Sequence, residues 1–475
     1  MSAVTPPFAA PCGALFLTLG AVAALEGQNV PASAAGQPSR ECVVIFTGVT
    51  LKGVPSHSAI VRTFSGAYNT FYGGGFNARC EGTDQRLRSD SAEHWGDDKK
   101  LILIGHVHYT EARLKLDADL ITYFTAEERL VAEGNVSGVT STGTRFRGPR
   151  AEYLRVARGV RDRSRLTAES RPNVWLSPKD AGPGAKDSVS LQADRVISDN
   201  DSLVYAKGRV VIERSDLLAT SDSAFLDNGR EFARLTLTPK VVGRGERKFA
   251  LEGGAIEVFS RQRQVQRVKS FANARATSED VTLEADTIDL RIADEKLARA
   301  YAWGAKRASA HAKGQDMTAD SIDVVMPGQV LREMRAVRHA RAESRPDSTR
   351  IVSVEPDFLL GDTIVARFDS VAAAGDTAGK PAVRQIVATG SLASPAASFY
   401  QDAPSEADRT GRPNINYVTG RRITVDFRNG QVRNVNVKDK VSGIYLEAVP
   451  DSARAKAALD SAVRATTKKP AGGQP

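Results

Sequence analysis

The sequence is poor in cysteine, in aromatic residues and in long apolar runs. Only three of the 475 residues are cysteine, which excludes a small scaffold held together by many disulfides. The longest near-apolar run, residues 13–25, is shorter than the roughly 20 residues that a membrane-spanning helix needs. Hydrophobic residues make up 41% and charged residues 25% of the chain, as in ordinary folded domains, so wholesale disorder is excluded.

An apolar stretch near the N-terminus has the length of a signal-peptide core. It covers residues 14–25, and the small residues at 32–34 provide a cleavage site. No lysine or arginine precedes the stretch, so the usual basic segment is missing, and a buried apolar helix is the alternative. We predict that residues 1–34 are a signal peptide and that the chain is exported.

Two cysteines remain after removal of that segment. Cys12 would leave with the signal peptide, whereas Cys42 and Cys80 stay in the mature chain. An even pair in an oxidising compartment favours a disulfide, and two unrelated buried thiols are the alternative. We predict a disulfide between Cys42 and Cys80.

Between residues 40 and 450, apolar and polar residues alternate over stretches of five to nine residues. Gly, Asp, Asn or Ser interrupts the pattern, as residues 101–109, 202–212 and 422–427 illustrate. A period of two is typical of short strands that are buried on one face. The sequence therefore predicts an all-β protein.

Two short motifs recur along the chain at a spacing of about 30 residues. The first, apolar-x-Ala-x-Gly-x-apolar, occurs at 130–136, 204–210 and 386–392. A repeat of this size, made of strands alone, cannot bury its apolar face and must stack on its neighbours, so residues 42–448 are predicted to form one elongated β structure. The second motif, small-Asp-x-apolar, contains Asp119, Asp194, Asp286, Asp320 and Asp362. Because these aspartates recur in successive repeats, a role in turns is favoured over catalysis.

These motifs resemble those of the OstA-like, or LptA-like, periplasmic proteins of lipopolysaccharide transport, and of the periplasmic domain of the outer-membrane translocon. The most similar stretch is residues 118–123 followed by residues 130–136. The resemblance covers most of residues 86–240 and, more loosely, 280–448. It implies a β-jellyroll, two antiparallel sheets folded into a V or a sandwich with an open groove that holds acyl chains.

The chain is far longer than one unit of that family. Residues 42–240 and 241–448 are therefore either one extended jellyroll or two tandem ones. The Ala-rich segment and the polar end of residues 451–475 are predicted to be a short helix and a disordered tail.

The resemblance implies a non-enzymatic periplasmic protein that shelters lipopolysaccharide acyl chains on their way to the outer membrane. Burial of such chains is driven by about 0.8 kcal/mol per CH₂ group. The same inward side chains would also suit a closed, dry structural scaffold, which is the alternative. Strand alternation places eight candidate groove residues on one face: Leu103, Val107, Tyr109, Leu130, Val136, Val204, Val210 and Ile212.

The formal net charge of +9 suits an anionic lipid headgroup. Arg145, Arg147 and Arg150 are the headgroup candidates, and a solvated basic face is the alternative reading of each. Because cations and acids are interleaved and aromatic residues make up only 6%, no nucleic-acid partner is expected.

Unpaired edge strands would dock other jellyroll proteins of the transport bridge, or further copies of this chain. No cofactor or metal is expected. His106 and His108 lack a third ligand nearby in the sequence, and no catalytic triad or dyad can be assigned.

Overall fold

The computed structural model divides into residues Met1–Glu41 and Cys42–Pro475, and the described residues all belong to the second unit. The described residues are 44–48, 53, 55–81, 84–157, 159–176, 189–244, 249–262, 264–312, 315–345, 353, 355–371, 380–402, 413–428, 431–448 and 459. The predicted signal peptide, Cys42 and, apart from residue 459, the predicted C-terminal helix and tail lie outside them. The backbone of Cys80 pairs with that of Val44, and the Cys42–Cys80 disulfide stays a prediction.

The secondary structure of the described residues 44–448 is β-strand with one 3₁₀ turn, Pro327–Gln329. No helix in the described part of the chain is both long and apolar enough to cross a bilayer. The strands are β1 (Val44–Gly48), β2 (His57–Arg62), β3 (Tyr68–Gly73), β4 (Phe76–Cys80), β5 (Arg86–Ser89), β6 (Ser91–Trp95), β7 (Lys100–Thr110), β8 (Leu114–Phe124), β9 (Arg129–Thr140), β10 (Arg145–Leu154), β11 (Arg165–Glu169), β12 (Asn173–Leu176), β13 (Val189–Gln192), β14 (Arg195–Asp199), β15 (Leu203–Glu213), β16 (Leu217–Asp227), β17 (Phe232–Thr236), β18 (Lys240–Gly243), β19 (Phe249–Glu252), β20 (Ala255–Arg261), β21 (Gln264–Ser278), β22 (Val281–Ala293), β23 (Lys296–Ala312), β24 (Gln315–Val325), β25 (Glu333–Ser344), β26 (Asp357–Val371), β27 (Lys380–Thr389), β28 (Ala396–Asp402), β29 (Asn414–Gly420), β30 (Arg422–Arg428), β31 (Gln431–Lys438) and β32 (Ser442–Leu446).

Each long strand takes part in two antiparallel sheets, one with each half of its length. In β8, residues 114–117 pair with residues 137–140 of β9 in what we call the front sheet. Residues 120–124 of β8 pair with residues 129–133 of β9 in the back sheet. Shorter strands belong to one sheet only, so that the front sheet runs from β1 to β32 and the back sheet from β2 to β31.

The predicted all-β architecture of two antiparallel sheets in an elongated jellyroll is confirmed. Pairing continues across residue 240, through β18 and β19 in the front sheet and through β17 and β20 in the back sheet. Each sheet has about 22 strand segments, which at about 4.8 Å per step gives a length on the order of 100 Å.

A sharp corner connects the two halves of a long strand, and the two sequence motifs meet there. In β9 the corner is Gly134 and Asn135, both with left-handed φ angles of 74° and 46°. A Cβ atom on Gly134 would lie 2.5 Å from Asp119 Oδ2, so the close approach as well as the φ angle requires glycine. Asn135 Nδ2 donates to the same carboxylate oxygen at 2.8 Å. The same arrangement recurs where Gly105 and His106 face Asp90, and where Gly208 and Arg209 face Asp194.

The core lies between the two sheets and is one cluster of apolar side chains from Phe76 to Val425. The buried residues of β8 are 114, 116 and 118 before the corner, and 121 and 123 after it. This change of phase keeps the apolar side chains on the inner face of both sheets, because alternation restarts after the corner.

Candidate functional site

The eight predicted groove residues all lie between the sheets, on β7, β9 and β15. Each is exposed by 8% or less, and all belong to the single core cluster. These side chains therefore point inward as predicted, and they pack in the core between the two sheets. Their contact with lipid stays a prediction.

Opposite the corners, the strand ends of the front sheet face the strand ends of the back sheet. We call these two rows of strand ends the edges, and the space between them the mouth. In the N-terminal half, polar side chains cross it. Glu111 lies in the β7–β8 turn at the edge of the front sheet, and Arg155 follows β10 at the edge of the back sheet. Glu111 Oε2 accepts from Arg155 Nε and from Tyr109 Oη, both at 2.8 Å, and Glu111 Oε1 accepts from Tyr153 Oη at 2.6 Å.

A second carboxylate completes this group of polar residues. Glu128 Oε2 accepts from Arg155 Nη1 and from Tyr123 Oη, both at 2.6 Å. We call these residues the mouth cluster: Tyr109, Glu111, Tyr123, Glu128, Tyr153 and Arg155. Two further hydrogen bonds cross the same mouth, from Arg113 Nη1 to Asn200 Oδ1 at 2.9 Å and from Ser141 Oγ to Asp201 Oδ2 at 3.4 Å.

The environment fixes the protonation of the tyrosines and of Arg155 in the mouth cluster. Burial, together with the nearby carboxylates, raises the pKa of Tyr109 and Tyr153 well above the ordinary value. Burial acts to lower the pKa of Arg155, but the surrounding tyrosines and glutamates outweigh it and the net direction is upward. Arg155 is therefore cationic and the tyrosines are neutral donors, so the cluster ties the two edges together by charge-assisted hydrogen bonds.

The C-terminal half contains an apolar cavity of about 140 Å³ between the two sheets. Its hydrophobic walls come from β23, β24, β26 and β28 in the front sheet and from β25, β26, β27, β30 and β31 in the back sheet. Among the lining residues are Met317, Met334, Leu359, Phe368, Ile386 and Phe427. An engineered apolar cavity of about 150 Å³ in another protein stays dry and binds benzene, so this one has room for an apolar group of about six carbons.

Two polar contacts between described residues near this cavity each stay within a single sheet. Gln401 donates from its backbone N to Asp357 Oδ1 at 2.9 Å in the front sheet. Arg384 pairs with Asp369 at 3.5 Å in the back sheet. Among the described residues, these two contacts do not join the edges to one another, in contrast with the contacts of Glu111 and Arg155.

The predicted headgroup residues lie apart from the cavity, on β10. Arg145 and Arg147 are exposed on the outer face of the front sheet, because Phe146 between them points into the core. Arg150 belongs to the back-sheet half of the strand and pairs with Glu133 and Glu169. The structure thus brings Arg145 and Arg147 together but separates them from Arg150, and headgroup binding by these residues stays a prediction.

The two histidines weighed as metal ligands each pair with an aspartate. His106 Nδ1 lies 2.7 Å from Asp90 Oδ2, and His108 Nδ1 lies 2.6 Å from Asp117 Oδ1. Among the residues that the structure describes, no group of three or more His, Cys, Asp or Glu side chains could hold a metal ion.

No protein-family model and no curated protein matches the chain. Part of the chain is similar to the crystal structure of LptH from Pseudomonas aeruginosa, described as the LptA-homologous periplasmic component of the conserved lipopolysaccharide transport device. The identity is 19%, the match covers 25% of this chain and 82% of that chain, and the TM-score is 0.22. At these values the match adds nothing to what the strand pairing shows.

Proposed function

We propose that this chain is a non-enzymatic periplasmic protein that shelters acyl chains of lipopolysaccharide, or of a similar anionic lipid, during transport to the outer membrane. The observation that carries the proposal is the apolar cavity between the sheets around Met317, Leu359 and Phe368. Filling it with about six carbons of a hydrocarbon chain would gain about 5 kcal/mol from apolar transfer. The sequence motifs, which resemble those of the OstA-like proteins, support the same proposal.

An acyl chain would enter the cavity from the side, through the mouth. The Gln401–Asp357 and Arg384–Asp369 contacts beside the cavity each stay within one sheet, so an acyl chain that enters there breaks neither of them. Around Glu111 and Arg155 the mouth is tied, and the groove residues predicted from the sequence lie behind this closure. Lipid contact at Val107 or Val136 would therefore require the mouth cluster to open.

A closed structural scaffold is the second candidate, and the packing of the N-terminal half favours it. Leu103, Val107, Leu130 and Val136 are fully buried, which is the property of a dry core. The two candidates differ in the C-terminal half, where a scaffold would leave the cavity empty.

The ends of the sheets are proposed as docking edges for other jellyrolls or for further copies of the chain. At one end β2 is exposed along its whole length, and Ile60 is 65% exposed. At the other end β32 is exposed throughout, with Ile444 61% exposed. Among the described residues, β2 pairs only with β3 and β32 only with β29, and an end strand beside exposed apolar side chains suits the addition of a further strand.

Site-specific photo-crosslinking tests the proposal. A photoreactive amino acid at Phe368, which lines the cavity, should capture lipid from vesicles that contain lipopolysaccharide. The same amino acid at the neighbouring Asp369, which is exposed, is the matched control. A second pair, Val107 and the exposed His108, reports on the N-terminal half. Capture at Phe368 and not at Asp369 supports the carrier, whereas equal capture at all four positions, or none, favours the scaffold.

A further inference from the structure

The corner of β23 differs from the other corners of the jellyroll. In β7 two residues, Gly105 and His106, separate the two paired segments opposite a single residue of β8. In β23 four residues, 304–307, stand opposite a single residue of β24. We call this four-residue protrusion the β23 corner. Its backbone is held in place, because Lys306 N donates to Asp286 Oδ2 at 2.9 Å.

The β23 corner borders a polar cavity of about 370 Å³ on the outer side of the jellyroll. This volume falls within the usual range for small-molecule sites. None of its lining residues takes part in the apolar cavity between the sheets. The lining combines two aromatic rings with three cations: Tyr301, Trp303, Lys306, Arg307 and Arg338.

The lining of this site has more cations than acids, and the cations have few hydrogen-bonding partners. Arg307 makes no hydrogen bond or ion pair with the described residues, and Lys306 Nζ has only Asn273 Oδ1, at 3.5 Å. Arg338 lies 3.6 Å from Asp320, which also contacts His339 at 3.2 Å. Most of the hydrogen-bonding capacity of Lys306 and Arg307 is therefore available to an anionic ligand.

The aromatic rings give the site an apolar face beside its charges. Tyr301 and Trp303 have ring centroids 4.8 Å apart with planes tilted by 35°, and Tyr301 is 39% exposed. Lys269 Nζ lies 5.5 Å from the centre of the Trp303 ring. An aromatic face offers contact to the C–H face of a sugar ring, and Arg and Lys side chains bind phosphate oxygens by charge-assisted hydrogen bonds.

We infer that the β23 corner is a binding site for a phosphorylated saccharide. Lys306, Arg307 and Arg338 hold the phosphate, and Tyr301 and Trp303 contact the sugar ring. The ligand is either a free sugar phosphate or the headgroup of a phosphorylated glycolipid, since both present this chemistry. The site lies on the outer surface, so the inference does not depend on lipid occupying the interior cavity.

Titration calorimetry with glucose 6-phosphate on the full chain tests the site. The K306Q/R307Q double variant should weaken binding at least about tenfold, because hydrogen bonds to charged groups are lost. The K115Q/K207Q double variant removes the same charge from exposed positions of other strands and should bind as the wild type does. Equal weakening in the two variants, or no binding by the wild type, would overturn the inference.

A second pair of variants tests the role of the aromatic rings. W303L should reduce the preference for glucose 6-phosphate over inorganic phosphate, while F225L, which changes an outer aromatic residue of β16, should not. Wild-type binding of inorganic phosphate as tight as that of the sugar phosphate would contradict a saccharide site. Binding to two kinds of phosphatidylcholine vesicle, one with lipid A and one with phosphatidylglycerol, tests whether the ligand is a glycolipid headgroup. Equal binding to both vesicles would mean a general attraction to anionic membranes and would count against the site.

Discussion

Arg155 Nε donates to Glu111 Oε2 at 2.8 Å and so joins the edge of the back sheet to the edge of the front sheet. The two residues are 44 apart in the sequence and lie at the ends of different strands. Their contact closes the mouth over the N-terminal half of the core. The C-terminal half has a cavity between the same two sheets, and the proposed function follows from this difference.

Loss of the Arg155 charge should destabilise the protein strongly. R155M leaves Glu111 buried without its cation, which typically costs about 3–5 kcal/mol. R165M is the matched control, because Arg165 is half exposed and its pair with Asp199 lies at the surface, where such pairs are worth about 1 kcal/mol or less. Urea unfolding measures both. If the two variants lost similar amounts of stability, the mouth cluster would not be a structural tie.

The corner glycines should tolerate alanine poorly where an aspartate faces them. G134A meets both an unfavourable φ angle and the Asp119 carboxylate, and we expect a loss of about 2–4 kcal/mol. G159A has a similar φ of 77° but no atom within 4 Å of the new Cβ, so it reports the backbone cost alone, about 1 kcal/mol. The D119A/G134A double variant should recover part of the loss; strict additivity in this cycle would argue against the contact.

The ion pair at the β15 corner should be visible in an acid titration. A hydrogen bond from Arg209, assisted by its charge, lowers the pKa of Asp194 below the ordinary 3.8. A lowered pKa in the folded state contributes stability above the unfolded pKa, and this contribution is lost as the pH falls through the folded pKa. In R209Q the pKa of Asp194 should rise toward 3.8, as followed by NMR. An unchanged value in R209Q would show that the pair does not form in solution.

Filling the interior cavity should block lipid uptake without loss of stability. A366L adds carbon atoms at a buried position that lines the cavity, so the new side chain has room. A302L places the same side chain at a fully buried position of β23 away from the cavity, where overpacking costs about 1–3 kcal/mol. Thermal unfolding distinguishes the two variants. A366L that proved as unstable as A302L would mean that the cavity is closed in solution.

The sequence predicted the strands, the inward face and the repeat, because alternation and short motifs are local properties. It also marked Asp119 and Gly134 as repeated residues with a structural role. It could not show why they recur together, since the contact between the carboxylate and the glycine exists only when β8 and β9 pair. Asp286 accepts a backbone N–H bond from Lys306, as aspartates in turns commonly do, whereas Asp119 accepts from the side-chain amide of Asn135.

The location of the interior cavity could not be predicted from the same patterns. Met317 and Phe368, which line the cavity, have the same alternation as Val107 and Val136, which lie in a closed core. Whether two sheets leave space between them depends on the combined volumes of many side chains, and no single position reports it. The one local signal that could have been used concerns the β23 corner, where Lys306 occupies the apolar position of the motif after Gly304 and Arg307 follows it.

Native mass spectrometry of the full chain purified from cells tests the central claim most directly, namely that the cavity around Phe368 holds an acyl chain. The wild type should carry an adduct with the mass of a lipid, and organic extraction should remove it. The A366L variant, equally folded, should lack that adduct. A wild-type protein without any lipid adduct, or an A366L variant that carries as much lipid as the wild type, would contradict the account.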